Sequence, residues 1–277
     1  GEPVVWGELV GEPTTDDLTR VVAAAEQAGV DAVIGFGGGS SMDLAKLVAV
    51  LTGSRQSFSD VVGAERVAGK RLPIVQVPTT AGTGSEVGTR ALVTDVKAAA
   101  KRAVQSLHML ADLAVIDPDL ALGMPRSITV ATGVDALAHC VEAFTNKKAH
   151  PVIDLYALEG IRLAGRWLAK AADAGHDPDA RAGMALASLY GGYCLGPVNT
   201  AGGHAVSYPL GARYHVAHGA ANALIFPHVL AFNAPATPER TAAILEALGL
   251  PVSTEPSRVF ATANDWCVRL GCEMRMS

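Results

Sequence analysis

The sequence predicts an α/β unit over residues 1–124 followed by an all-helical unit over residues 125–277. Three observations carry this. Strand-sized and helix-sized patterns alternate through the first part of the chain, in the order that builds a parallel sheet. β-branched runs give out after "LGMP" (residues 122–125), where long alanine- and leucine-rich segments take over. Two of the early strands also run straight into loops rich in glycine and hydroxyl groups.

Taken in order, "TTDDLTRVVAAAEQAG" (14–29) opens on Thr and Asp as cap candidates and carries apolar residues at helical spacing. It closes on Gly29, the expected helix stop. "DAVIGF" (31–36) is a short β-rich run, and "SMDLAKLVAVLTG" (41–53) is helical again. "LPIVQVPTT" (72–80) and "DLAVIDP" (112–118) read as further buried strands, each ending in turn residues. Helices are then expected over 127–147, 151–175, 178–196, 217–233 and 238–249, separated by Gly, Pro and Asn. The segment that leads from the 178–196 helix into the 217–233 helix, "GGHAVSYPLGARYHVAHG", reads as a glycine-marked stretch between helices.

Composition bounds what such a chain can be. Of its 277 residues, 49% are hydrophobic and 18% charged, enough for two cores and too apolar for disorder. The net charge of −5 comes with no basic run, which excludes a phosphate-tracking nucleic-acid surface. Apolar stretches are strand-sized and glycine-broken, well short of a membrane span. No charged-then-apolar leader is visible. Cys140, Cys194, Cys267 and Cys272 show no CxxC spacing, so they read as reduced thiols and the expected setting is the cytoplasm.

The loop "GFGGGSSMDLAK" (35–46) carries the first chemistry. A strand ending in Gly37, Gly38, Gly39 and Ser40 and running into a helix presents unobstructed backbone N–H groups at the helix's positive end. That suits a phosphate or pyrophosphate, although the pattern is neither G-x-G-x-x-G nor a Walker loop. The competing explanation is a tight turn that needs positive φ. A second loop, "PTTAGTGSE" (78–86), follows another strand and supplies Thr79, Thr80, Thr83 and Ser85. Ends of neighbouring parallel strands are where α/β sheets hold nucleotides. Lys101 and Arg102 add positive charge nearby in sequence.

The histidines carry the second chemistry. In "ATGVDALAHCVEAF", Asp135 and His139 stand four apart on a helix and project from one face. Such a pair can give one oxygen and one nitrogen to a divalent metal. His204, His215 and His218 follow, and two of them would complete a set of one carboxylate and three imidazoles. The spacing leaves His215 and His218 as equal candidates.

Five stretches together, "GGGSSMDLAK", "PTTAGTGSEV", "VIDPDLALGMP", "ATGVDALAHCVEAF" and "HAVSYPLGARYHVAHGAANA", resemble the iron-containing (group III) alcohol dehydrogenase family in order and spacing. The resemblance spans about Gly11 to Leu248. It implies the dehydroquinate synthase-like fold, a dinucleotide-binding α/β domain followed by a helical metal-binding domain. The implied activity is NAD- or NADP-linked interconversion of a small alcohol and its aldehyde or ketone. The alternative is a metal-dependent lyase or cyclase on the same fold that uses NAD transiently. By position, the implied ligands of Fe2+, with Zn2+ or another divalent ion as substitute, are Asp135, His139, His204 and His218. The implied cofactor residues are Gly38, Gly39, Ser40, Asp43, Thr79, Thr80, Thr83, Ser85 and Lys101. A homodimer or higher homo-oligomer is expected, with no nucleic acid or membrane partner.

Two departures stand out. Where many members carry a histidine four residues after the third ligand, this chain has Tyr208. It is a candidate catalytic proton relay, though a phenol, with an unperturbed pKa of about 10, is a poor base at neutral pH. The resemblance also implies a further strand–helix–strand unit before Gly1, with the acidic residue that binds the adenosine ribose, and more helices after Ser277.

Overall fold

The computed structural model describes residues 2–98, 100–214 and 216–275, and the chain divides into two compact units. The first comprises residues 1–79 and 85–116, the second residues 80–84 and 117–277. The second unit thus starts ahead of Met124, because a 3-10 turn at Pro118–Ala121 packs against the helices that follow. It also claims a short loop from the middle of the first.

In the first unit, helix α1 (Thr15–Ala28) starts where expected. Thr14 and Asp17 form a reciprocal capping box, and Gly29 stops the helix in the left-handed region at φ 63°. Strand β1 (Val33–Gly37) leads into α2 (Gly39–Leu51), followed by the single turn α3 (Phe58–Val61) and the short strand β2 (Gly63–Ala64). Then come β3 (Ile74–Pro78), β4 (Arg90–Asp95), β5 (Ala100–Gln105) and β6 (Leu113–Ala114). One sheet is parallel, in the order β1-β3-β6, with Val33 opposite Ile74 and Gly37 opposite Pro78. Parallel β1 and β3 therefore end side by side.

A second sheet, β2-β5-β4, includes an antiparallel pair, β4 with β5, that the sequence reading did not anticipate. "RALVTD" and "AKRAVQ" each carry charged residues, and only Ala91, Val93 and Val104 are fully buried. A half-solvated pair leaves a weak signal. Leu18, Leu44, Leu47, Val48, Val93, Val104 and Met109 make the core beneath it.

The second unit is helical: α4 (Arg126–Phe144), α5 (Pro151–Asp173), α6 (Pro178–Leu195), α7 (Gly202–Tyr214), α8 (His218–Asn233), α9 (Pro238–Ala247) and α10 (Pro256–Leu270). Fourteen of the nineteen residues of α4 are buried, which makes it the unit's central helix. α5 and α6 pack on it, and Leu137, Ile161, Leu168, Met184, Leu230 and Ile244 fill the core. The stretch expected between helices is itself α7, despite Pro209 inside it. No helix among the described residues is long and apolar enough to cross a membrane.

Loop 80–84 explains its own glycines. A Cβ at Gly84, which sits at φ 61°, would meet Gly192 Cα at 2.4 Å, and one at Gly82 would meet Thr132 Cβ at 2.6 Å. The loop lies directly on α4 and α6, so these glycines serve backbone approach within the protein.

Candidate metal centre

The central helix sets the site. Asp135, His139 and Glu142 follow one another on α4 at spacings of four and three, so they share a face, and all three are buried. α7 brings His204 and α8 brings His218, at its first position, to that face. Donor atoms of Asp135, His204 and His218 all lie within 4.8 Å of one another. From Asp135 Oδ1 the Nε2 atoms stand at 3.4 Å (His204), 3.5 Å (His218) and 3.8 Å (His139). The His139 ring stacks on that of His204, with centroids 4.7 Å apart. His215 lies outside the described residues.

These separations can be tested against what an ion requires. Two ligands each about 2.1 Å from a tetrahedral ion stand roughly 3.4 Å apart. The observed spacings match for His204 and His218 and are slightly wide for His139. The hydrogen bonding points the same way. His139 Nδ1 is buried with no partner among the described residues, and its Nε2 is beyond hydrogen-bond range of Asp135. The Asn222 amide nitrogen stands against three groups at once: Asp135 Oδ1 at 2.6 Å, His204 Nε2 at 3.1 Å and His218 Nε2 at 3.3 Å. An amide has two hydrogens to give, so three acceptors oversubscribe it. Asn222 Oδ1 is meanwhile buried and unpaired among the described residues. One carboxylate and several imidazole nitrogens crowded round a single amide fit a divalent cation.

Electrostatics follow from the burial. Desolvation works to raise the Asp135 carboxyl, but the charges of His139, His204 and His218 and the hydrogen bond from His204 outweigh it and hold the group well below the usual carboxylate range. Burial pushes His139 down to about 4, only partly offset by Asp135. Burial also opposes charge on His204, yet hydrogen bonds to Asp135 and Glu142 overcome it and raise the group to about 9. Asp135 is thus anionic and His139 neutral at pH 7, as a metal requires of both, while His204 carries a proton that a bound cation would displace.

Tyr208 is half-buried beside this set. Its ring lies nearly parallel to His218 at 14°, with centroids 5.8 Å apart, and edge-on to His204 at 6.2 Å.

The glycine loop belongs to the first unit. Of its three glycines, only Gly37 has a positive φ, 144°. Gly38 is the N-cap of α2 at φ −76° and ψ −176°, extended backbone open to any residue, and Gly39 is already helical. The turn accounts for Gly37 alone. Gly38 offers no side-chain cap to α2, so the first-turn N–H groups are left to other acceptors. The two loops meet, since Thr79 N donates to Gly37 O at 3.0 Å.

Not every expected cofactor residue gathers there. Asp43 accepts from Ser85 Oγ at 2.5 Å and from Leu92 N at 2.9 Å, and Ser85 also accepts from the buried Lys46 at 2.7 Å. Asp43 and Ser85 are thereby engaged in an internal network between α2 and the turn after loop 80–84. Lys101, on β5, pairs with Glu12 at 2.7 Å. Thr80 and Thr83 travel with the second unit, while Thr79 and Ser40 stay with the first.

Two residues escaped the sequence reading. Glu142 extends the Asp135/His139 spacing by one more turn, and Asn222 follows His218 by four. The same helical periodicity marks both.

Comparison with known proteins gives a consistent picture. A family described as iron-containing alcohol dehydrogenase matches residues 1–118, and the C-terminal part of the Fe-containing alcohol dehydrogenase family matches residues 129–277. The chain is 41% identical over 248 residues to long-chain-alcohol dehydrogenase 1 of Geobacillus thermodenitrificans, covering 88% of this chain and 62% of that protein. It is 35% identical to the 1,3-propanediol dehydrogenase of Klebsiella pneumoniae, covering 90% of this chain and 64% of the relative. Among solved structures, a 1,3-propanediol oxidoreductase superposes with a TM-score of 0.93 at 33% identity, over 98% of this chain and 72% of that one. The sulfoacetaldehyde reductase of Bifidobacterium kashiwanohense, solved with NAD+, gives 0.88 at 29% identity, over 96% and 70%. The sequence therefore spans somewhat under two thirds of the two dehydrogenases' length.

Proposed function

The chain belongs to the iron-containing alcohol dehydrogenase family, and we propose that the protein interconverts a small alcohol and its aldehyde or ketone with hydride passing to or from NAD. The observation that carries this reading is the convergence of a buried carboxylate, two buried imidazoles and the partly exposed His218 in the helical unit. Asp135, His139, His204 and His218 would hold a divalent ion, iron(II) in the cell, which would supply Lewis acidity, and a bound nicotinamide would supply the hydride chemistry.

The chain's own groups do the positioning. Asp135 places a single negative charge among imidazoles that offer lone pairs. His204 keeps Nε2 turned inward because Nδ1 faces Glu142 at 2.6 Å. His218, one third exposed, is the least buried of the four. Tyr208 lies along it and walls that side. In the first unit, the uncapped amides at Gly39 and Ser40 are the groups that would receive a pyrophosphate, and Gly38 and Gly39 leave that approach clear. The preference for NAD draws on the relative solved with it. Relatives named for methanol, 1,3-propanediol and long-chain alcohols favour net hydride transfer over the lyase or cyclase alternative.

The test is made on the complete protein. Elemental analysis should find one divalent metal per chain. His218→Ala should lose most of it, and His215→Ala should keep it. A panel of short alcohols and diols should yield NADH in equal amount to the carbonyl product. A metal-free wild type, or turnover without net NADH, would overturn the reading.

A further inference from the structure

Glu142 is a carboxylate buried to 4% exposure, with no ion pair to a lysine or arginine among the described residues. Among the described residues its hydrogen bonds all go to one short segment. Oε1 accepts from the backbone N–H of His204 at 3.1 Å and faces His204 Nδ1 at 2.6 Å, while Oε2 accepts from the backbone N–H of Ala201. The carboxylate thus holds both the main chain at the start of α7 and the ring that α7 contributes. Gly203 completes the arrangement. A Cβ there would meet Glu142 Oε1 at 2.5 Å, so the carboxylate reaches the segment only because this residue has no side chain. The same stretch contains the His204 Nε2 that faces Asp135 and His218.

We propose that Glu142 is a positioning residue of the metal centre: through His204 Nδ1 and the first amides of α7, it fixes the orientation and tautomer in which His204 presents Nε2. This rests on the metal-centre reading above. The physical reason is that an imidazole has two nitrogens and a free rotation about its stem. Left alone, the ring presents either nitrogen and exchanges its proton between them. Once a cation takes the place of the Nε2 proton, an acceptor fixed at 2.6 Å from Nδ1 keeps the remaining proton there and leaves the lone pair on Nε2 for the ion. The amide bonds remove the remaining freedom by pinning the backbone from which the ring hangs. Glu142 has no place among the ligands themselves, since its two oxygens are committed to the α7 side.

Two variants of the full chain test this, with zinc affinity measured by competition against a chelator. Glu142→Gln keeps the size and removes the charge and one acceptor. Gly203→Ala keeps the carboxylate and displaces it from the ring. Each should bind zinc about 10- to 100-fold more weakly than the wild type, the usual consequence of losing such a partner. In zinc-loaded protein carrying 15N-labelled histidine, the His204 Nδ1 proton should resonate far downfield and move upfield in Glu142→Gln. A carboxylate with only a structural role would leave that resonance in place while lowering apo-protein stability. Should Glu142→Gln fail to fold, Gly203→Ala alone decides. Zinc binding within about threefold of wild type in every folded variant, or an unmoved resonance, overturns the proposal. A wild type that binds no zinc would instead defeat the metal reading on which it rests.

Discussion

Tyr208 stands against two of the four candidate ligands. Its ring is stacked on His218 and edge-on to His204, so the apolar body of the side chain is what the site uses first. Tyr208→Phe preserves that body. We expect turnover within about twofold of wild type and unchanged metal content, because the ring contacts with both histidines survive. A phenol that carried the reaction's proton would instead show itself as a loss of roughly 10²-fold. Steady-state kinetics on the two proteins, with metal content measured in parallel, separates these outcomes.

The helix α2 and its glycine loop show what an element can contribute without side chains. Gly37 is required by its backbone, whereas Gly38 and Gly39 adopt conformations that any residue reaches. Gly39→Val should therefore leave the loop folded and the metal centre filled, while weakening NAD binding by at least tenfold in a calorimetric titration. Unaltered affinity would show that the loop is only a turn. The same element scale governs what could be read ahead of the structure. α1 declared both ends through Thr14, Asp17 and Gly29, and the Asp135/His139 spacing pointed to the face of α4 on which the candidate ligands converge. α7 did not declare itself. Its sequence holds two glycines at the start and a proline inside, and its first amides are satisfied by Glu142, sixty-two residues earlier in the chain. Local pattern cannot register a cap supplied from another helix. For the same reason, nothing in "PTTAGTGSE" revealed that Gly82 and Gly84 answer to α4 and α6, or that Ser85 turns inward to Asp43 and Lys46.

At the scale of the whole molecule, the two chemistries belong to different units, and their effects on stability should separate. Asp135, His139, His204 and His218 all lie in the helical unit. A metal present at about a thousandfold over its Kd stabilises the unit that binds it by about 4 kcal/mol. For a unit of this size that corresponds to roughly 8–16 °C in melting temperature. Chelation should lower the melting of the helical unit by that order. Hydrogen exchange should quicken in α4, α7 and α8 and stay unchanged in β1, β3 and β6. Equal loss of protection in both units would show that they unfold as one. The loop 80–84 carries one further consequence, which concerns connectivity. Because that loop belongs to the helical unit while residues on either side of it belong to the first, the chain passes between units three times, near residues 79, 84 and 116. A single nick at any of these crossings leaves the two bodies covalently tethered. Expressing residues 117–277 alone would also leave bare the seat on Thr132 and Gly192 that the loop fills. The halves cannot be exchanged between relatives by one splice, and a chimera that respects the fold must carry those five residues with its helices.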